Sequence, residues 1–148
     1  MDGRGSFQNS TGLKDFAAEM TRRGLQDFVV DLKDCELMDS TFLGTLTGIA
    51  LKLGPAGSLK VIRPNQRNRE VLQNLGLDRI FTVVENATIP APAGELQDAE
   101  TDPPREAQRD TIIEAHENLV AANPENAVRF KDVIEFLKQK EPDDQARP

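Results

Sequence analysis

The sequence predicts an α/β protein, a mostly parallel sheet with covering helices, followed by a C-terminal αα-hairpin. Three observations carry that reading. Short apolar runs of strand length, at 27–32, 58–62 and 80–84, alternate with segments whose apolar residues recur at helical spacing. The run Phe28-Val29-Val30-Asp31-Leu32 is nearly continuous, as expected of a strand covered on both faces in a parallel sheet. After residue 104 the alternation stops, and two helical patterns follow with no strand pattern between them. The chain of 148 residues divides accordingly into an α/β domain at 1–85, an acidic proline-containing linker at 86–104, a helical hairpin at 105–140 and a disordered tail at 141–148.

Gly3-Arg4-Gly5-Ser6-Phe7 reads as the end of a strand, too close to the first residue to be a whole one. The first strand is thus incomplete, and the open sheet edge it leaves invites pairing with another chain. Asn9 and Ser10 are cap residues for a helix running to about Arg23, with Leu13, Phe16, Ala17 and Met20 as its apolar, core-facing stripe and Gly24 as its stop. The strand from Asp27 to Leu32 comes next, and Cys35 to Met38 connects it to the polar triplet Asp39-Ser40-Thr41. Ser40 is positioned as the N-cap of a helix from Thr41 to about Leu53. Leu43, Leu46, Ile49 and Leu53 claim the core side of that helix. Thr41, Gly44, Thr45, Gly48 and Lys52 make a small-residue face, read as a docking surface for a partner. Phe42 is either an exposed hydrophobic anchor on that surface or core.

A turn at Gly54-Pro55-Ala56-Gly57 leads into a strand from Ser58 to Ile62, ended by Pro64. Asn65 caps a helix to Leu75 that buries Val71, Leu72 and Leu75. Gly76 is its C′ glycine, with Leu77 folding back on the helix. Ile80 to Val84 is the last strand. In the hairpin, Arg105 to Ala122 lines up Ile112, Ile113, His116, Leu119 and Val120, and Asn123-Pro124-Glu125 is a start signal for the second helix. That helix presents Ala127, Phe130, Val133, Ile134 and Leu137. A unit this small must dock its apolar face on the sheet domain, a second copy or another protein.

Composition narrows the function. All of the net charge of −7 comes from residues 86–148, whereas residues 1–85 are balanced, and neither part is basic. That argues against direct nucleic-acid binding. No apolar run approaches a membrane span, there is no signal-peptide pattern, and the single Cys35, a small buried hydrophobe by position, suits a reducing cytoplasm. Asp31, Asp34 and Asp39 read as capping and loop carboxylates rather than metal ligands. The single His116 makes no metal site and reads as a packing residue. Arg63, Arg67 and Arg69 form a basic cluster that reads as a solvated helix face. No nucleophile–base set or phosphate loop stands out, so neither enzyme activity nor a cofactor is expected.

Three blocks, Asp31-Leu32, then Met38-Asp39-Ser40-Thr41-Phe42-Leu43-Gly44, then Leu75-Gly76-Leu77-Asp78-Arg79-Ile80-Phe81, occur in an order and at a spacing that resembles the STAS domains, the anti-sigma factor antagonists and their relatives. The likeness covers about Gly3 to Glu85 and departs from the family at Gly5-Ser6-Phe7-Gln8. It implies a STAS-like fold and a cytoplasmic partner-switching regulator that binds an anti-sigma factor or its serine kinase. It also implies that Ser40, directly after the aspartate, is phosphorylated, with Asp39, Ser40, Thr41, Phe42, Gly44, Thr45 and Gly48 on the partner-binding face. The alternative is a STAS scaffold without phosphorylation, an oligomer or interaction module built on the hairpin. Added negative charge beside Asp39 is the physical basis of the switch.

Overall fold

A computed structural model describes residues 3–84 and 105–139; the expected linker at 86–104 and tail at 141–148 lie outside the described residues. The elements run β1 (Gly3–Gly5), α1 (Phe7–Arg22), β2 (Asp27–Asp31), β3 (Cys35–Met38), α2 (Ser40–Leu53), β4 (Ser58–Ile62), α3 (Gln66–Asn74), β5 (Thr82–Val84), α4 (Arg105–Ala122) and α5 (Asn126–Gln139). This is the predicted α/β class with its C-terminal helix pair. Every described strand pairing is parallel: β1 with β3, and β2–β4–β5 in that order, with Asp27 opposite Ser58 and Lys60 opposite Thr82. Parallel neighbours need long crossovers, which α2 and α3 supply.

The core lies where the sheets meet α2 and α3. Leu32, Met38, Leu43, Leu46, Leu59, Val61, Leu72, Leu77 and Phe81 are all buried there, and Leu119 of α4 joins them. Cys35 is buried, as its position suggested. Its carbonyl accepts hydrogen bonds from the side-chain amides of Asn65 (3.1 Å) and the buried Asn68 (3.0 Å), which anchors α3 to β3. Gly76 adopts φ 71°, a left-handed conformation that costs a glycine little, and this turns Leu77 back into the core.

Several local expectations are corrected. The N-cap of α1 is Ser6, not Asn9 or Ser10: Ser6 Oγ accepts from the Gln8 amide at 3.2 Å, and Asn9 Oδ1 accepts from the Ser6 amide at 2.9 Å, a reciprocal capping box. The stripe of α1 is only partly core, since Ala17 is buried but Phe16 is 50% exposed. Strand β2 is not covered on both faces, since Val29 is 52% exposed. The segment before β5 winds into a 3₁₀ turn at Leu77–Arg79, which shortens the strand to Thr82–Val84. Helix α5 begins at Asn126, because Asn123 and Pro124 spend their carbonyls on the turn that precedes it. Within the basic cluster, Arg63 pairs with Asp31, while Arg67 is exposed.

Candidate functional site

The site is built where two helix N-termini meet. Each leaves amides without intrahelical partners. Asp39 serves both: Oδ1 accepts from the Phe42 amide of α2 at 2.8 Å, and Oδ2 accepts from the Phe7 amide that opens α1 at 2.9 Å. Its own amide donates to the Gly5 carbonyl at 2.8 Å, which fixes β1 against the same joint. Asp39, not Ser40, is therefore the N-cap of α2, a correction with a plain cause. A carboxylate reaches two amides at once, and the helix dipole favours a negative charge there. Ser40 is displaced one position into the first turn, and its hydroxyl is freed for another partner.

That partner is His116 of α4. Ser40 Oγ lies 2.8 Å from His116 Nε2, and His116 Nδ1 lies 2.7 Å from the Ile112 carbonyl. A carbonyl only accepts, so Nδ1 carries the hydrogen. In the neutral ring Nε2 is then the acceptor, and Ser40 donates to it. The imidazole is 4% exposed and packs edge-on to Phe130 of α5, with ring centroids 5.1 Å apart at 64°.

The rest of α4 follows Ser40 along α2, the most extensive contact between any two described elements. Gly44 lies so close to the backbone carbonyl of Ala115 that a Cβ would overlap it. Gly48 meets the side chain of Asn118, whose Nδ2 donates to the Gly44 carbonyl at 3.3 Å. Thr41 and Thr45 are buried alongside, and Thr45 Oγ1 donates to the Thr41 carbonyl at 2.9 Å. Polar links stitch α4 to its neighbours: Thr11 to Thr111 at 3.0 Å, and Glu114 to Lys14 at 2.7 Å and to Lys52 at 3.6 Å. Partial burial of Glu114 opposes its ionisation. The Lys14 hydrogen bond and the charges of Lys14 and Lys52 outweigh burial and hold the carboxyl below the usual range. A cleft of about 440 Å³ opens along this seam, between Ala17, Thr45, Gly48, Thr111, Ala115 and Asn118.

The small-residue face, expected to receive a partner, is covered by the chain's own α4 at Thr41, Gly44, Thr45 and Gly48. Phe42 resolves as core, at 3% exposure, with its ring against Gly5. Sequence reasoning placed His116 on the apolar side of α4 and missed its bond to Ser40, 76 residues away. The one available signal was the match between two small-residue patterns, Gly44/Gly48 on α2 and Ala115/Asn118 on α4. Among the described residues no group of three His, Cys, Asp or Glu side chains is gathered as a metal site. Asp31 is occupied by Arg63 and by the Lys33 amide at 3.1 Å.

The family model described as Mlab, STAS domain matches residues 2–85. The chain belongs to the STAS domain family. The match covers β1 to β5 with α1 to α3, and the α4–α5 hairpin lies beyond it. No curated protein matches the chain, and no solved structure does. No described helix is long and apolar enough to cross a membrane.

Proposed function

We infer that this STAS protein is an anti-sigma factor antagonist-like regulator of the cytoplasm that acts by binding rather than by catalysis. It binds an anti-sigma factor or its serine kinase through the face that starts at Asp39 and Ser40, and phosphorylation of Ser40 ends that binding. The observation that carries the reading is the Asp39–Ser40 joint. The Asp39 carboxylate already holds the Phe42 amide at the start of α2 and the Phe7 amide at the start of α1, so a phosphate on Ser40 finds a negative charge where a helix N-terminus would otherwise welcome it. The Ser40–His116 pair resembles a nucleophile and its base; burial of the ring against Phe130 supports a structural role for it.

The test is intact-mass analysis of the protein from its own cells, with the modified residue mapped by fragmentation. One phosphate on Ser40 is expected, and Ser40→Asp should lose a partner that Ser40→Ala keeps. Absence of phosphate through growth, starvation and stress, with equal binding by both variants, would favour the second reading, a STAS scaffold or oligomeric interaction module without a phosphorylation cycle. Its supporting observation is that α4 fills the α2 face.

A further inference from the structure

We propose that α4 is a resident ligand of the STAS partner face: the hairpin closes over α2 in cis, the Ser40–His116 bond latches it, and an external partner binds by presenting a helix that takes its place. The proposal rests on the reading of α2 as the partner face, and extends it by naming what holds that face closed and what shape of partner opens it.

Three features mark α4 as an occupant rather than a wall of the core. Its seam with α2 is made of small and polar groups, Ser40, Thr41, Gly44, Thr45 and Gly48 against Ala115, His116 and Asn118, whereas the large apolar core is drawn from the STAS elements and takes only Leu119 from α4 among its fully buried members. Reversible interfaces have this more polar character. A cleft of about 440 Å³ also runs beside the seam, between α1, α2 and α4. Finally, the hairpin lies beyond residues 2–85, the span of the STAS match, so it is an addition that can compete for the face in cis.

The same geometry specifies the competitor. The approach of Gly44 to the Ala115 carbonyl admits backbone-to-backbone packing, so the partner element is a helix with a small residue over Gly44. It also needs an acceptor within reach of Ser40 Oγ and a donor for the Gly44 carbonyl, the roles His116 and Asn118 fill. A bulky loop or a strand does not satisfy these three demands together.

Native-state hydrogen exchange on the full chain tests this without any partner. In low denaturant, α4 and α5 amides should exchange through an opening that leaves β2 and β4 protected. His116→Ala should speed that opening about tenfold, with β4 unchanged. Gly44→Ala, which improves the intrinsic helix propensity of α2 while placing a methyl in the path of Ala115, should do the same. In trans, a labelled peptide of residues 105–139 should bind the His116→Ala chain more tightly than wild type, and should not bind the Gly44→Ala/His116→Ala double variant. Exchange of α4 only through global unfolding, or joint loss of protection by α4 and β4 in His116→Ala, would overturn the proposal. These outcomes do not depend on phosphorylation, so they separate failure of the latch from failure of the switch.

Discussion

At the scale of single residues, Asp39 does more than its position in a switch motif demands. One carboxylate satisfies amides from two helix N-termini, that of Phe42 in a part-buried place and that of Phe7 in an exposed one. Loss of the α2 N-cap costs about 1–2 kcal/mol, and the bond to the Phe7 amide of α1 is lost with it. Asp39→Ala should therefore lower stability by about 2 kcal/mol or more in urea, whereas Asp39→Asn, a good cap itself, should lose well under half of that. Equal losses would show that the charge matters and the cap geometry does not. Phe42 makes a different point. Its ring is buried against Gly5, with the nearest ring carbon 2.6 Å from where a Cβ on that glycine would stand. Phe42→Ala should cost about 3–5 kcal/mol as a cavity mutation, with partner binding reduced only through lost fold. A stable Phe42→Ala chain that no longer binds its partner would instead return Phe42 to the docking surface.

At the scale of elements, the limits of α4 and the caps of α3 were legible in the sequence because local signals set them: acid and proline near helix starts, Asn65 before the α3 pattern, Gly76 after it. The start of α2 was legible only to within one residue. Asp39 and Ser40 are both good caps, and what chose between them was a contact with Phe7, 32 residues away. The landing place of the hairpin was left open among sheet, second copy and other protein, because an apolar stripe states that a face is buried and not against what. The structure adds a fastening that no periodicity reveals. Asn126, fully buried in the turn region, donates to the Leu75 carbonyl at 3.1 Å and the Leu119 carbonyl at 2.9 Å, so one amide ties α3, α4 and α5. Asn126→Ala strands the Leu75 carbonyl, while the Leu119 carbonyl keeps the Asn123 amide, and should cost about 1–3 kcal/mol. The loss should appear as faster exchange in α5 and the end of α4 before the sheet is affected; a uniform loss of protection would show that the turn is part of the cooperative core.

At the scale of the molecule, the fold was legible because alternating strand and helix patterns are local, and the site was legible only in half. The α2 residues were in one stretch of sequence, while their occupant lay 76 residues downstream across a composition break that reads as a domain boundary. Charge is one of the links between the two halves, and it makes their union depend on pH. Glu114 bridges α4 to Lys14 of α1 and to Lys52 of α2, and its carboxyl is held below the ordinary value despite partial burial. Between its folded value and the ordinary one, near pH 4.3, the unfolded chain binds more protons than the folded chain. Stability from this bridge is therefore fully present above about pH 4.3 and is lost as pH falls through the lower, folded value. Asp31, held low by Arg63 and the Lys33 amide against the opposing effect of burial, contributes with the same sign inside the STAS domain. The two are separable by substitution. With no Trp or Tyr in the chain, the measurement is circular dichroism in urea from pH 3 to pH 6. Wild type should lose stability towards the acid end, and Glu114→Gln should flatten part of that slope, as should 0.5 M salt, since the bridge is partly exposed. A Glu114→Gln curve parallel to wild type would mean that Glu114 carries no linkage and that α4 is held by its small-residue seam and the Ser40–His116 bond alone.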